Sequence, residues 1–182
     1  MESNKTISNS LPENTHPEFF FFKRFRYDYH LVFYCHDQNR LFTKQTESAI
    51  SLRESKIRDF MNRLQKRLGL RKGELLFIAS SEFGECGLGH VHALISFDSL
   101  RRKGKIHRFE KCKKIKYAVS DIAIEMFSNS TRVGIERVKK SAIEQKRKLS
   151  YVCKVEFGRD YKHCFFPKWI KASRKYMPHI LH

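Results

Sequence analysis

The stretch GHVHALISF, residues 89–97, constrains this chain more than any other. Successive side chains of a strand point to opposite faces. Val91, Ala93, Ile95 and Phe97 therefore form one apolar face, and His90 and His92 share the other. A slip of one residue would exchange the two faces, so a packed apolar side fixes the register. The preceding ELLFIASSEF (74–83) reads as a second strand, joined to the first by a short Gly-containing loop. If this hairpin closes symmetrically about residues 85–87, Glu82 lies opposite His90 and Ser80 opposite His92, all on one face.

The rest of the chain supplies material to cover such a hairpin. FFFFKRFRYDYHLVFYCHD, from Phe19 onward, is dense in aromatic and β-branched residues, and its better strand runs over about 27–36. Ile57, Phe60, Met61, Leu64 and Leu68 form one helical stripe, with Gly69 placed to end the helix. RRKGK (101–105) is expected to be a basic loop. Residues 107–129 carry Ile115, Val119, Ile122 and Met126 in helical register, and TRVGIERVK (131–139) has strand character. Residues 141–154 form a further helix with Ser141 as N-cap. Strands interleaved with helices around one hairpin imply an α+β fold, a central antiparallel sheet flanked by helices. The polar residues 1–18 are expected to be a loosely attached arm, and 19–182 a single domain.

Charge narrows the function. The 37 Lys and Arg against 19 Asp and Glu give a formal net charge of +18. Such a field attracts polyanions, nucleic acid first among them. No run approaches 18 uninterrupted apolar residues and MESNKTISNSLPENTHPE lacks an apolar signal core, so neither a membrane span nor secretion is expected. The five cysteines include no CxxC pair and point to free thiols in a reducing compartment. Without a GxSxG or a GxxxxGK[ST] motif, acyl transfer and ATP hydrolysis have no support.

Two imidazoles and a carboxylate on one face suit a divalent cation. His₂Glu sets occur in hydrolytic zinc sites, and the same donors suit Mn²⁺ or Mg²⁺ when phosphate oxygens complete the shell. A nucleophile is offered by LSYVCK, where Tyr151 and Lys154, three apart on a helix, lie on one side of it. A phenol is a weak nucleophile at neutral pH, but an adjacent ammonium and a polarised phosphate ease formation of its oxyanion. Lys154 would also neutralise charge building on phosphate oxygens. Tyr117 and Tyr161 are the next phenols in rank. Arg101, Arg102, Lys103, Lys105, Lys113 and Lys114 are candidates for phosphate contacts.

Taken together, the HxH strand with Glu82 eight residues before it and the YxxK helix after a strand resemble the HUH endonucleases. They look most like the rolling-circle replication initiators of small viruses, phages and plasmids. The likeness spans about residues 27–157 in the family's order, with LVFYCHD (31–37) as the first motif, although the proline usual there in viral members is absent. The resemblance implies that Tyr151 attacks a phosphate of single-stranded origin DNA, with His90, His92 and Glu82 holding Mn²⁺ or Mg²⁺. A 5′-phosphotyrosine link and a free 3′-hydroxyl would result. A host helicase and polymerase would then be partners, in the cytoplasm of a bacterial or archaeal host or the nucleus of a eukaryotic one. The rival readings are a single-tyrosine transposase of insertion-sequence type, a water-activating metal nuclease and a non-catalytic basic nucleic-acid-binding protein.

Overall fold

The computed structural model describes residues 22–35, 47–83, 89–106, 112–127, 131–153, 164–165 and 167. In chain order the elements are β1 (Tyr29–Cys35), α1 (Glu47–Arg67), β2 (Leu76–Phe83), β3 (Gly89–Ser96), α2 (Asp98–Arg102), α3 (Cys112–Phe127), β4 (Thr131–Arg137), α4 (Ala142–Cys153) and β5 (Cys164–Phe165). The strands form one antiparallel sheet in the order β4-β1-β3-β2-β5. The fold is α+β, as the interleaved pattern implies. The expected arm over 1–18 lies outside the described residues, as do Lys154 and Tyr161. No helix among the described residues is long and apolar enough to cross a membrane.

Period-two alternation gives the sheet two unlike faces. Tyr29, Leu31 and Phe33 of β1, Phe77 and Ala79 of β2, and Val91, Ala93 and Ile95 of β3 point to the face that α1 and α3 cover. The α1 stripe of Ile57, Phe60, Met61, Leu64 and Leu68 is buried there, with Ile115, Val119 and Ile122 of α3. Phe33 meets Phe60 edge-on at 4.9 Å between ring centres, and Phe127 stacks against Phe60 at 6.1 Å. Such geometries suit the aromatic quadrupole as well as area burial. Helix α1 ends where Gly69 turns left-handed at φ 67°. The Leu70 amide then donates to Gln65 O at 2.9 Å and the Gly69 amide to Lys66 O at 2.9 Å, which satisfies two terminal carbonyls.

The stretch expected to be a basic loop at 101–105 is partly helical. Asp98 opens α2 and accepts from Arg101 and Arg102, one turn further on, which supports a helix of five residues. Gly104, at φ 67°, closes it with the same pair of bonds, Gly104 N–H to Arg101 O and Lys105 N–H to Leu100 O.

The second face is packed over only part of its length. Leu149, Val152 and Cys153 of α4 bury against Leu76, Ile78 and Leu94, together with Phe22, Tyr27 and Val138. Cys153 is a buried thiol. Ser141 caps α4 as expected, its Oγ accepting from the Glu144 amide at 3.3 Å. Gln145 then clamps the helix to the chain entering β1. It accepts from the Tyr27 amide at 2.7 Å and donates to the carbonyls of Tyr27 and Lys139 at 2.9 and 2.8 Å. That clamp fixes where the far end of α4 meets the sheet.

Candidate active site

Beyond the reach of the small apolar cluster, the second face is lined by rings. The hairpin register pairs Glu82 with His90 and Ser80 with His92, as the symmetric closure requires. On the other flank β1 places Val32 opposite His92 and Tyr34 opposite His90, with His30 one pair further along, opposite Leu94. His90 and His92 stand nearly perpendicular, ring centres 4.9 Å apart. His92 and His30 are each only 5 % exposed, and Tyr34 stacks loosely on His90 at 6.4 Å.

Helix α4 delivers the phenol to this face. The Tyr151 hydroxyl lies 3.4 Å from His92 Nε2, its ring edge-on to both His92 and His30. Tyr151 keeps 37 % of its surface exposed, so a ligand can reach it from solvent. The rival phenol Tyr117 is 67 % exposed on α3, whose buried residues pack on the opposite sheet face. Tyr34 meets His90 ring to ring, whereas Tyr151 sets its hydroxyl against a histidine nitrogen. The alternation rule that places His90 and His92 also reaches His30, which sequence reasoning missed. The signal is present in YDYHLVFY, where Asp28, His30, Val32 and Tyr34 share one phase.

The ring cluster continues into charged groups. His30 Nε2 lies 3.0 Å from His92 Nδ1. His30 Nδ1 lies 3.6 Å from Glu136 Oε2, an ion-pair distance longer than a hydrogen bond. Glu136 in turn accepts from Lys148 Nζ at 2.6 Å. The Lys148 ammonium, above all through that hydrogen bond, holds the Glu136 carboxyl below the usual carboxylate range, and His30 adds to the effect.

Among the described residues no three His, Cys, Asp or Glu side chains form a metal-holding group. Glu82 keeps its backbone position opposite His90, while its carboxylate lies outside the described part of the structure. The imidazole pair itself has suitable spacing. Two imidazoles on neighbouring positions of one ion, each nitrogen about 2.1 Å away, hold their ring centres roughly 5 Å apart. Ser80 Oγ, buried on the same face, has no hydrogen-bond partner among the described residues. It is a polar atom that a bound ion's water would satisfy.

The basic candidates fall elsewhere. Arg101 bridges Asp28 and Asp98, Arg102 pairs with Asp98, and Lys103 pairs with Glu74. Asp28 also accepts from the Phe97 amide at 2.9 Å, so Arg101 belongs to a network that closes the end of the sheet. This cluster, with exposed Lys105 beyond it, follows the end of β3 remote from His90. Lys113 and Lys114 are exposed on α3, the helix covering the opposite face. None of the six stands beside the imidazole pair.

No protein-family model matches the chain, and no curated protein does. Solved structures similar to it include the following two. One is the hypothetical protein ORF119 from Sulfolobus islandicus rod-shaped virus 1, at a TM-score of 0.46 and 17 % identity, over 79 % of this chain and 95 % of that one. The other is the N-terminal nuclease domain of minute virus of mice non-structural protein-1, at a TM-score of 0.31 and 10 % identity, over 84 % of this chain and 73 % of that one. That nuclease domain is described with Zn²⁺ coordination in its active-site pocket and DNA recognition at the origin of replication. At these scores neither likeness decides the chemistry of the present site.

Proposed function

We propose that this chain nicks and rejoins single-stranded DNA by transesterification, with Tyr151 as nucleophile, and so initiates rolling-circle replication. The observation that carries the reading is the Tyr151 hydroxyl set 3.4 Å from His92 Nε2, by a helix distant in sequence from the HxH strand. A phenol at the open edge of two imidazoles has no packing purpose that phenylalanine would not serve. The +18 net charge supplies attraction for a polyanion, and a reaction that conserves the phosphodiester needs no ATP motif.

His90 and His92, with Glu82 in register, would hold the divalent cation, Mn²⁺ or Mg²⁺. When bound it would polarise a phosphate oxygen and offset charge in the transition state. Tyr151 gives up its proton to water on its exposed side. Its oxygen then bonds to phosphorus as the bond to the 3′-oxygen breaks, and that oxygen takes up a proton. The products are a 5′-phosphotyrosine and a 3′-hydroxyl, and attack by that hydroxyl on the linkage rejoins the strand. Lys154, three residues on from Tyr151 in sequence, would stabilise the phosphate oxygens.

The test is to incubate the protein with single-stranded, origin-like oligonucleotides and Mn²⁺, then look for an adduct that survives denaturant. Tyr151→Phe is expected to abolish it while leaving oligonucleotide binding largely intact. An adduct that persists in Tyr151→Phe would overturn the assignment of the nucleophile. Protein that binds the strand and never forms an adduct favours the non-catalytic reading.

A further inference from the structure

We infer that His30, backed by Glu136 and Lys148, is a positioning residue that sets the tautomer of His92, leaving Nε2 as a bare lone pair in front of the Tyr151 hydroxyl. A neutral imidazole carries one N–H and one acceptor nitrogen, so the 3.0 Å contact between His30 Nε2 and His92 Nδ1 requires one to donate and the other to accept. The direction follows from the charged end of the chain. Lys148 keeps Glu136 anionic, and that carboxylate faces His30 Nδ1. A carboxylate on that side favours the proton on His30 Nδ1, which leaves His30 Nε2 as an acceptor. His92 Nδ1 must then donate, and its Nε2 is left without a proton.

The opposite tautomer would aim an N–H at the Tyr151 hydroxyl and deny Nε2 to any cation. Isolated imidazole favours that opposite tautomer, so the arrangement has to be imposed. Burial makes the imposition effective: with His30 and His92 each 5 % exposed, water has little access to offer alternative partners. Ring geometry agrees, since His30 and His92 lie within 19° of coplanar orientation at 5.2 Å, both edge-on to Tyr151. The polarity of the centre is therefore set from outside the His90–His92 pair, through Lys148 of α4, Glu136 of β4 and His30 of β1.

This inference rests on the proposed function for its activity readout alone. The direct test is nitrogen NMR of the ¹⁵N-histidine-labelled full chain without metal, with His92 assigned by its loss in His92→Gln. The expected result is His92 protonated at Nδ1 and bare at Nε2. His30→Leu should move His92 toward the Nε2-protonated form, and should weaken Mn²⁺ binding and adduct formation by about 10- to 100-fold each. His30→Gln, whose amide oxygen can accept from Nδ1, should restore most of the wild-type pattern. Glu136→Gln, at a side chain 60 % exposed and safe for folding, should relax the tautomer preference partway. His92 protonated at Nε2 in the wild-type chain would overturn the inference, as would a tautomer unchanged in both His30→Leu and Glu136→Gln. The expected tautomer in a protein that forms no adduct would overturn the proposed function instead and leave this inference standing.

Discussion

The two faces of one sheet make the most informative contrast in this molecule. The face under α1 and α3 holds Tyr29, Leu31, Phe77, Val91 and Ile95 with the mutually packed rings of Phe33, Phe60 and Phe127, and any volume-conserving apolar set would serve there. The other face carries a small apolar cluster under α4, and beyond it His30, His90, His92 and Tyr151. Strand residues one apart contribute to both. Most of the apolar packing thus lies on one side and the polar rings on the other, and substitutions should separate the two.

The sharpest separation is expected on the ring-lined side. His90→Ala and His92→Ala should abolish cleavage of single-stranded DNA and its dependence on added cation together, with thermal midpoints close to wild type. Cleavage that persists in chelator would break the assignment of that face. On the opposite side, Phe60→Ala should cost about 3–5 kcal/mol in chemical denaturation. Its activity per folded molecule should stay near wild type at low temperature; a selective loss of activity would show that the faces are coupled.

Gln145→Ala tests the seam. It removes three hydrogen bonds between α4 and the segments flanking the sheet. A loss of about 1–3 kcal/mol is expected, with adduct formation reduced more than oligonucleotide binding because α4 carries Tyr151. The smallest effect lies away from the seam, at Glu74. The Arg71 amide foremost, with Lys103, holds its carboxyl below the usual range. A depressed folded-state pKa contributes stability above the ordinary carboxylate pKa, and this is lost as pH falls through the folded value. Glu74→Gln should therefore lower stability near neutrality by about a few tenths of a kcal/mol and leave it little changed at low pH, which flattens the acid limb of a denaturation–pH profile.

Legibility from sequence followed the same division between local and non-local information. The β2–β3 register was readable because period-two alternation and a short loop leave one solution, and it placed Glu82 and Ser80 correctly opposite the histidines. The C-terminal end of α1 and the cap of α4 were readable from Gly69 and Ser141, since left-handed backbone and N-cap chemistry are local. His30 was not readable as a site residue, because its relevance depends on β1 pairing with β3 across 60 or so residues of chain, a topological fact. Arg101 was misplaced for a different reason. A run of basic residues resembles a solvated loop, but Asp98 and Asp28 recruit it into a short helix that closes the sheet.

The clamp at Gln145 has a mechanical corollary. Tyr151 lies six residues further along the helix, a rise of about 9 Å, and its neighbours Leu149, Val152 and Cys153 are buried against the sheet. The phenol is therefore held from both sides, by an amide clamp behind it and apolar anchors around it. The imidazoles stand on β3 and β1, each with a neighbouring strand on both sides. Phenol and imidazoles thus share one stiff frame, to which an approaching ligand has to adjust.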